Sequence, residues 1–317
     1  MKTLERLSWI SLASTYLLLV VGGIVSATGS GLACPDWPLC RGQLIPPLEG
    51  PVLIEYGHRV LAALVGLLVL STAVTAWRRR RRIPGVGAAA GVALFLLLAQ
   101  VLLGAVTVLG ELPVEIVTAH LALGSALLVI LALMLILSRV PVTQRVPGVP
   151  ARDFSALEVD PGRPPPFWPL AATGVLYLEM ILGAYVRHSG AGLACPDLPL
   201  CQGEVIPPLQ GLTVFHFSHR VGAILVAVLI FLAAVRARDA LREQPFLSVL
   251  PTVATVLVGV QILLGALAVS SRLAPLLTVL HLANAEALLA TMVFLSAACL
   301  RPAVLKPPVL VLEQQSI

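Results

Sequence analysis

Four histidines occupy positions where an ionisable side chain is unusual, a few residues inside long apolar stretches. They are His58, His120, His219 and His281. An ionisable residue inside a membrane-spanning segment indicates a functional site by default. A single such histidine is explained most simply by a hydrogen bond to a neighbouring helix, but four at matched positions favour a shared purpose. Two imidazoles that face each other from different helices can bind the iron of a haem from both sides, which predicts two bis-histidine haem sites.

A carboxylate accompanies only one of these histidines. Residues 55–59 read EYGHR, whereas residues 216–220 read HFSHR. Because Glu55 precedes His58 by three residues, both side chains lie on one face of a helix. Three interpretations of Glu55 stay open: it pairs with Arg59, it favours a helix N-terminus, or it acts as an acid, a base or a water-positioning group beside a reacting ligand.

Arginines follow two of the histidines directly. Arg59 and Arg220 lie near the predicted membrane interface. A guanidinium in that position either pairs with the carboxylates of a bound porphyrin or extends to water, and the sequence favours neither.

The chain also contains one cysteine phrase twice. Residues 31–48 read GLACPDWPLCRGQLIPPL and residues 192–209 read GLACPDLPLCQGEVIPPL, identical at fourteen of eighteen positions. Two cysteines and several prolines exclude a membrane span for either phrase. Both phrases are therefore predicted to be long loops between spans.

Composition identifies the class of protein that positions these residues. Of 317 residues, 58% are hydrophobic and 12% charged, and the mean hydropathy is +0.96. A soluble domain has about 25% charged residues, so the sequence predicts an integral membrane protein in the lipid bilayer. Eight apolar stretches are long enough to span it. They lie near residues 8–26, 55–77, 87–109, 115–137, 168–187, 213–235, 247–269 and 276–299.

Basic residues predict the orientation of these spans. They include Lys2, Arg6, the run 78–82, the stretch 236–242, Arg139, Arg145, Arg152, Arg163, Arg301 and Lys306, all on one side. By the positive-inside rule both termini are cytoplasmic and the cysteine loops lie outside the cell membrane. The same placement argues against nucleic-acid binding. Residues 1–33 also resemble a cleaved signal peptide, but their match to a mid-chain span predicts retention.

A tandem duplication explains the repeated features. An offset of 161 residues relates Cys34 to Cys195, His58 to His219 and His120 to His281. We therefore predict an all-α integral membrane protein of eight transmembrane helices, arranged as two tandem four-helix bundles with a pseudo-twofold axis along the membrane normal. The halves are residues 1–137 and 168–317, and residues 138–167 form a cytoplasmic linker.

The combination of GSGLACPDWPLC, EYGHR and a histidine in span 4, all repeated once, resembles the haem A synthase family over nearly the whole chain. The resemblance implies an enzyme that oxidises a ring methyl group of haem O to a formyl group, giving haem A for terminal oxidases. The chain also departs from that pattern. Ser26 stands where Arg187 would predict a basic residue, His216 takes the place of Glu55, and His188 aligns with Ala27 and is interpreted as a loop residue.

The same resemblance implies a role for each site residue. Glu55 is the catalytic carboxylate, which positions or deprotonates water or the hydroxylated intermediate. The substrate haem O is bound by His58, His120 and Arg59. In the second half His219 and His281 bind the iron of a resident haem b, with Arg220 as a candidate for its propionates. The implied disulfides join Cys34 to Cys40 and Cys195 to Cys201.

Partners follow from the same likeness. They are haem O and the haem O synthase that supplies it, an unidentified electron donor or acceptor, and the assembly of a terminal oxidase. The sequence leaves both a monomer and a homo-oligomer open.

Other functions compete with this one. A bis-histidine electron carrier needs the histidines but not Glu55. A quinone-linked thiol oxidase uses paired outward cysteines but leaves four histidines unexplained, and a transporter places its site nearer the midplane. The cysteine pairs are interpreted mainly as covers over each pocket, with a redox role as the alternative.

Overall fold

The computed structural model describes residues 2–139, 167–242 and 247–300. Within these ranges the chain forms eight long α-helices and one short 3-10 turn, Ala191–Leu193. The helices are α1 Lys2–Ala27, α2 Gly50–Arg78, α3 Val86–Leu109, α4 Val114–Ser138, α5 Phe167–His188, α6 Leu212–Leu241, α7 Leu250–Ser270 and α8 Pro275–Leu300. All eight are long and apolar enough to cross a membrane. The predicted all-helical, multi-pass membrane protein is confirmed.

Four helix boundaries differ from the prediction by three residues or more. Helix α1 begins at Lys2 rather than near residue 8. Helix α2 begins at Gly50 rather than near residue 55, with a proline in its first turn, where a missing amide hydrogen has little cost. Helix α7 begins at Leu250 for the same reason, since Pro251 follows at once. Helix α6 continues to Leu241, past the last apolar residues and into the basic stretch. The length of each apolar stretch therefore predicts where a span lies but not how far its helix extends.

Helices α1, α4, α5 and α8 pack together at the centre of the molecule. Helix α1 packs against α2, α4 and α8, and α5 packs in the matching way against α6, α8 and α4. Helices α2, α3, α6 and α7 lie on the periphery. Burial is greatest in α4 and α8, about half of which is buried, whereas less than a third of each other helix is. The peripheral helices therefore present apolar faces suited to lipid.

Equivalent residues of the two halves meet at this centre. The Tyr16 hydroxyl donates to the Ala283 carbonyl at 3.1 Å, and the Tyr177 hydroxyl donates to the Ala122 carbonyl at 2.9 Å. Each tyrosine and each acceptor has its counterpart 161 residues away.

A second contact at the same interface joins residues that are themselves 161 positions apart, since the Ser125 hydroxyl donates to the Glu286 carboxylate at 2.6 Å. Glu286 is fully buried. A carboxylate at this depth is stabilised only where it has such a partner.

Some predicted features lie outside the described residues. They are most of the linker 138–167, with Arg145, Arg152 and Arg163, and the C-terminal Arg301 and Lys306. The orientation across the membrane and the division into halves stay predictions.

Candidate functional site

The four histidines lie against glycines of neighbouring helices. A Cβ atom on Gly22 of α1 would lie 3.3 Å from the His58 ring on α2, and one on Gly183 of α5 would lie 2.8 Å from the His219 ring on α6. The equivalent contacts on α3 and α7 are 3.4 Å from Gly104 to His120 and 3.1 Å from Gly265 to His281. Glycine therefore makes the space in which each imidazole lies.

Each half brings its own two histidines together. His58 and His120 interact electrostatically within the first half, and His219 and His281 do so within the second. That the two rings of each half face each other across a haem stays a prediction, as do the roles assigned to these residues.

The imidazoles are short of hydrogen-bond partners. The Nδ1 atom of each of the four rings is buried, and among the described residues none of them makes a hydrogen bond. The His281 ring has one polar neighbour at its other nitrogen, Gln261 Nε2 at 3.2 Å. A buried polar atom without a partner costs about 1–3 kcal/mol. Neutral imidazole is a standard ligand for haem iron, so this donor set fits a haem in each half.

The two cysteine loops have the same structure. Disulfides join Cys34 to Cys40 and Cys195 to Cys201, with Cα atoms 4.6 Å and 4.5 Å apart. All four cysteines are at most 1% exposed. The implied pairing is confirmed, and both bridges are buried.

An aspartate inside each loop binds the turn that comes directly after the second cysteine. The Asp36 carboxylate accepts hydrogen bonds from the backbone amides of Arg41 and Gly42, and Asp197 accepts them from Gln202 and Gly203. These amides, first that of the glycine in each loop, hold the pKa of both aspartates below the ordinary value of 3.8. The loops are therefore organised around a carboxylate that accepts two backbone amides.

An arginine on the adjoining helix anchors each loop. Arg59 donates through Nη1 to the carbonyls of Asp36 and Leu39, each at 2.7 Å, and through Nη2 to the carbonyl of Cys34 at 2.6 Å. Its last Nη hydrogen goes to Glu55 at 2.6 Å. All four Nη hydrogens are thus used within the protein.

Arg220 repeats this anchor in the second half. It donates to the carbonyls of Asp197 at 2.9 Å and Leu200 at 2.7 Å, and also to that of Cys195. These contacts join the loop to α6 as Arg59 joins its loop to α2.

Glu55 is fixed on both of its oxygens. Oε1 accepts from Arg59, and Oε2 accepts from the backbone amide of Cys34 at 2.8 Å. The residue is 3% exposed and lies beyond the first turn of α2. Of the interpretations left open, pairing with Arg59 is present, and capping of the helix start is wrong because the helix begins earlier than predicted.

His216 takes over one of these contacts in the second half. The Cys195 amide donates to His216 Nδ1 at 3.2 Å, in the place of the Cys34–Glu55 contact. His216 is 4% exposed. It serves the loop, which leaves His219 as the better-placed candidate ligand.

Two residues that departed from the repeat lie at the end of α5. His188 is the last residue of that helix, so its interpretation as a loop residue is wrong. The α5 pattern simply continues through it without a breaker. Arg187 reaches towards the first half, with Nη2 3.5 Å from the carbonyl of Ser26, its own counterpart.

Sequence reasoning missed two carboxylates. Glu179 on α5 lies 2.6 Å from His219 Nδ1, and Glu286 lies at the interface between the halves. Both stand alone within apolar stretches, which is the signal that could have found them. The Glu179–His219 contact is at ion-pair distance, but its angles fall outside the range of a hydrogen bond.

Together these features define a class: a multi-pass membrane protein with paired intramembrane histidines beneath disulfide-closed loops. The sequence matches the family described as "Cytochrome oxidase assembly protein" over residues 5–293. It is 37% identical to the haem A synthase of Symbiobacterium thermophilum over 73% of this chain and 74% of that protein. It is also 34% identical to that of Halalkalibacterium halodurans over 69% of this chain and 71% of that protein.

A third relative extends this likeness. The haem A synthase of Shouchella clausii is 32% identical over 81% of this chain and 83% of that protein. The chain belongs to the haem A synthase family.

Proposed function

We propose that the protein oxidises the methyl group of haem O to a formyl group and so supplies haem A for terminal oxidases. One observation carries this beyond family membership. Each half holds two half-buried histidines whose rings lie against helix glycines and whose buried Nδ1 atoms lack hydrogen bonds among the described residues. Two such sites suit a protein that handles one haem as substrate and retains another.

We assign the substrate to the first half. His58 and His120 would bind haem O there, because the carboxylate that chemistry requires, Glu55, lies on the same helix face as His58. His219 and His281 would hold a resident haem b in the second half. When bound, that group supplies one-electron redox chemistry.

Glu55 is our candidate for the catalytic group. Both oxygens accept hydrogen bonds, one from Arg59 and one from the Cys34 amide, so the carboxylate has a fixed position at the outer end of the first pocket. Each oxygen keeps a further lone pair that can accept from water or from a hydroxylated methyl group. In this proposal the methyl undergoes two successive two-electron oxidations: water supplies each hydroxyl oxygen, the electrons pass to the proposed electron acceptor, and two protons leave with each electron pair. The resulting hydrate loses water to leave the aldehyde. Glu55 positions or deprotonates the water or the hydroxylated intermediate.

Arg59 and Arg220 contribute chiefly by fixing the loops. Their Nη groups donate to loop carbonyls. Arg59 keeps its Nε–H as a donor for a haem propionate, and Arg220 keeps its Nε–H and one Nη2 hydrogen. We therefore propose that both arginines shape the mouth of their pocket and can also donate to a propionate.

The arrangement in the membrane completes the proposal. We infer two halves, residues 1–137 and 168–317, related by a pseudo-twofold axis, and the reciprocal tyrosine hydrogen bonds support it. The termini would be cytoplasmic and the cysteine loops outside. An electron donor or acceptor, the haem O synthase and a terminal oxidase are the proposed partners.

The test of function is haem conversion. Co-expression with a source of haem O, followed by haem extraction, chromatography and mass spectrometry, should yield haem A. Recovery of haem O alone would reduce the protein to a haem carrier, and a colourless protein would exclude both functions.

Histidine variants test the assignment of the two sites. We expect His219→Ala and His281→Ala to be purified without the Soret band of the resident haem. His58→Ala and His120→Ala should keep that band and lose haem A formation. His188→Ala, which changes a half-buried histidine outside the four, is the matched control. An unchanged Soret band in the first two variants would contradict the assignment.

Glu55→Ala tests the catalytic carboxylate. We expect haem O or a hydroxylated intermediate to accumulate, as identified by mass spectrometry. Glu115→Ala, which removes an exposed carboxylate from the first turn of α4, is the control. Undiminished haem A in Glu55→Ala would remove Glu55 from the reaction.

A further inference from the structure

We propose that Glu179 is a positioning residue that holds His219 through Nδ1 and lowers the reduction potential of the haem bound in the second half. The inference rests on the proposed function, in which His219 binds iron. It concerns an interaction for which the first half has no counterpart among its described residues.

The contact itself is close and enclosed. Glu179 Oε1 lies 2.6 Å from His219 Nδ1, and the two side chains are 11% and 23% exposed. Neither atom makes a hydrogen bond elsewhere in the described part of the chain. With Nδ1 facing the carboxylate, Nε2 is the nitrogen available to a metal.

Two residues that differ together between the halves make this contact possible. At the offset of 161, Glu179 corresponds to Leu18 and Gly222 corresponds to Leu61. A Cβ atom on Gly222 would overlap the Glu179 carboxylate, so the glycine is what admits it. In the first half both leucines pack against the apolar core. A carboxylate and the space for it therefore replace two apolar side chains only in the second half.

The chemistry of this exchange is specific. An imidazole whose Nδ1–H faces a carboxylate is a stronger electron donor through its other nitrogen. A stronger donor stabilises ferric over ferrous iron and so lowers the potential, because hydrogen bonding around the ligands is one of the levers that set it. His58 has Leu18 at the corresponding position, and its Nδ1 makes no hydrogen bond among the described residues. The two sites are thereby made electronically unequal.

Potentiometry of the holoprotein tests the proposal. Glu179→Gln keeps the size of the side chain and removes its charge, and the midpoint potential of the bound haem should rise. A tenfold change in the relative affinity for ferric and ferrous haem corresponds to about 59 mV for one electron, and we expect at least that. The low-spin ferric EPR spectrum should change with it. Glu204→Gln, which removes an exposed carboxylate in the same half, should change neither.

A second variant tests the proposal if Glu179→Gln loses its haem. Gly222→Ala keeps the carboxylate but displaces it from the ring, and it should also raise the potential. Unchanged potentials in both variants, with haem bound, would overturn the inference. A parent protein without haem, or with haem that survives loss of His219, would instead overturn the proposed function.

Discussion

The two halves of the molecule share a frame and differ in where they place a carboxylate. In both, a disulfide, an aspartate that accepts two amides and an arginine on the next helix hold the cysteine loop. In the first half the distinctive carboxylate is Glu55, which accepts from the Cys34 amide of the loop and from Arg59. In the second it is Glu179, which contacts the imidazole itself.

This difference separates the contacts that a duplicated unit must keep from those it can change. The contacts kept in both halves fix backbone, so they position any ligand below them. The contacts that differ involve charges, and in our proposals these decide what each bound haem does. A carboxylate beside the mouth suits proton handling near a substrate, whereas one behind a ligand suits control of a metal.

The loop anchor offers the sharpest way to separate the halves. We expect Arg59→Gln to destabilise the protein by about 3–5 kcal/mol, because it leaves Glu55 buried without its cation. Arg220→Gln should cost less, since it removes similar loop contacts but leaves no unpaired carboxylate. Apparent melting temperatures in detergent, followed by circular dichroism, compare the two.

A double variant identifies the source of that difference. Glu55→Gln combined with Arg59→Gln should recover part of the stability, because the unpaired charge is removed. Equal melting temperatures for Arg59→Gln and Arg220→Gln would contradict the claim that Glu55 makes the halves unequal.

Substitution of the glycines that contact the histidines compares the two pockets with a smaller perturbation. Gly183→Ala puts a methyl 2.8 Å from the His219 ring, whereas Gly22→Ala puts one 3.3 Å from His58. The first should cost about 1–3 kcal/mol through overpacking, and the second should be tolerated by a small shift of the ring. Haem content of the purified protein, from the Soret band per polypeptide, should fall only in Gly183→Ala. A fall in Gly22→Ala of the same size would show that the pockets are equally tight.

Sequence alone located most of this site. The histidines and cysteines were found because an offset of 161 residues matched them in sequence, and apolar length sufficed for the eight helices. The use of Arg59 by three loop carbonyls could not be predicted, because those acceptors depend on how the backbone folds around the disulfide.

The two missed carboxylates have a different cause. Glu179 and Glu286 have their partners on other helices, and no local motif surrounds either residue. The offset could have marked Glu179, because a leucine stands at its counterpart. Pattern reasoning therefore finds features that both halves contain more readily than those that one half alone acquired.

Removal of each disulfide tests whether the two loops cover their pockets in the same way. Replacing both cysteines of either pair by serine should cost about 2 kcal/mol, the low end of the usual range for so short a ring. The two paired variants should melt alike, and both should still form haem A. Loss of activity confined to the Cys34 and Cys40 variant, at unchanged haem content and stability, would establish a redox role for the first pair only.

Acidification should have the smallest effect of these changes, and it should affect the two loops equally. Since the pKa of Asp36 and of Asp197 is lowered in the folded protein, their contribution is fully present above 3.8 and is lost as the pH falls below it towards the folded value. The protection of the Gly42 and Gly203 amides against hydrogen exchange, relative to the intrinsic rate at each pH, should therefore fall only in that acidic range. Asp36→Asn and Asp197→Asn should show the faster exchange already at neutral pH, because an amide side chain has only one acceptor oxygen for two donors. Exchange that quickens in one loop and not in the other would mean that the frame itself, and not just the charges beside it, has diverged between the halves.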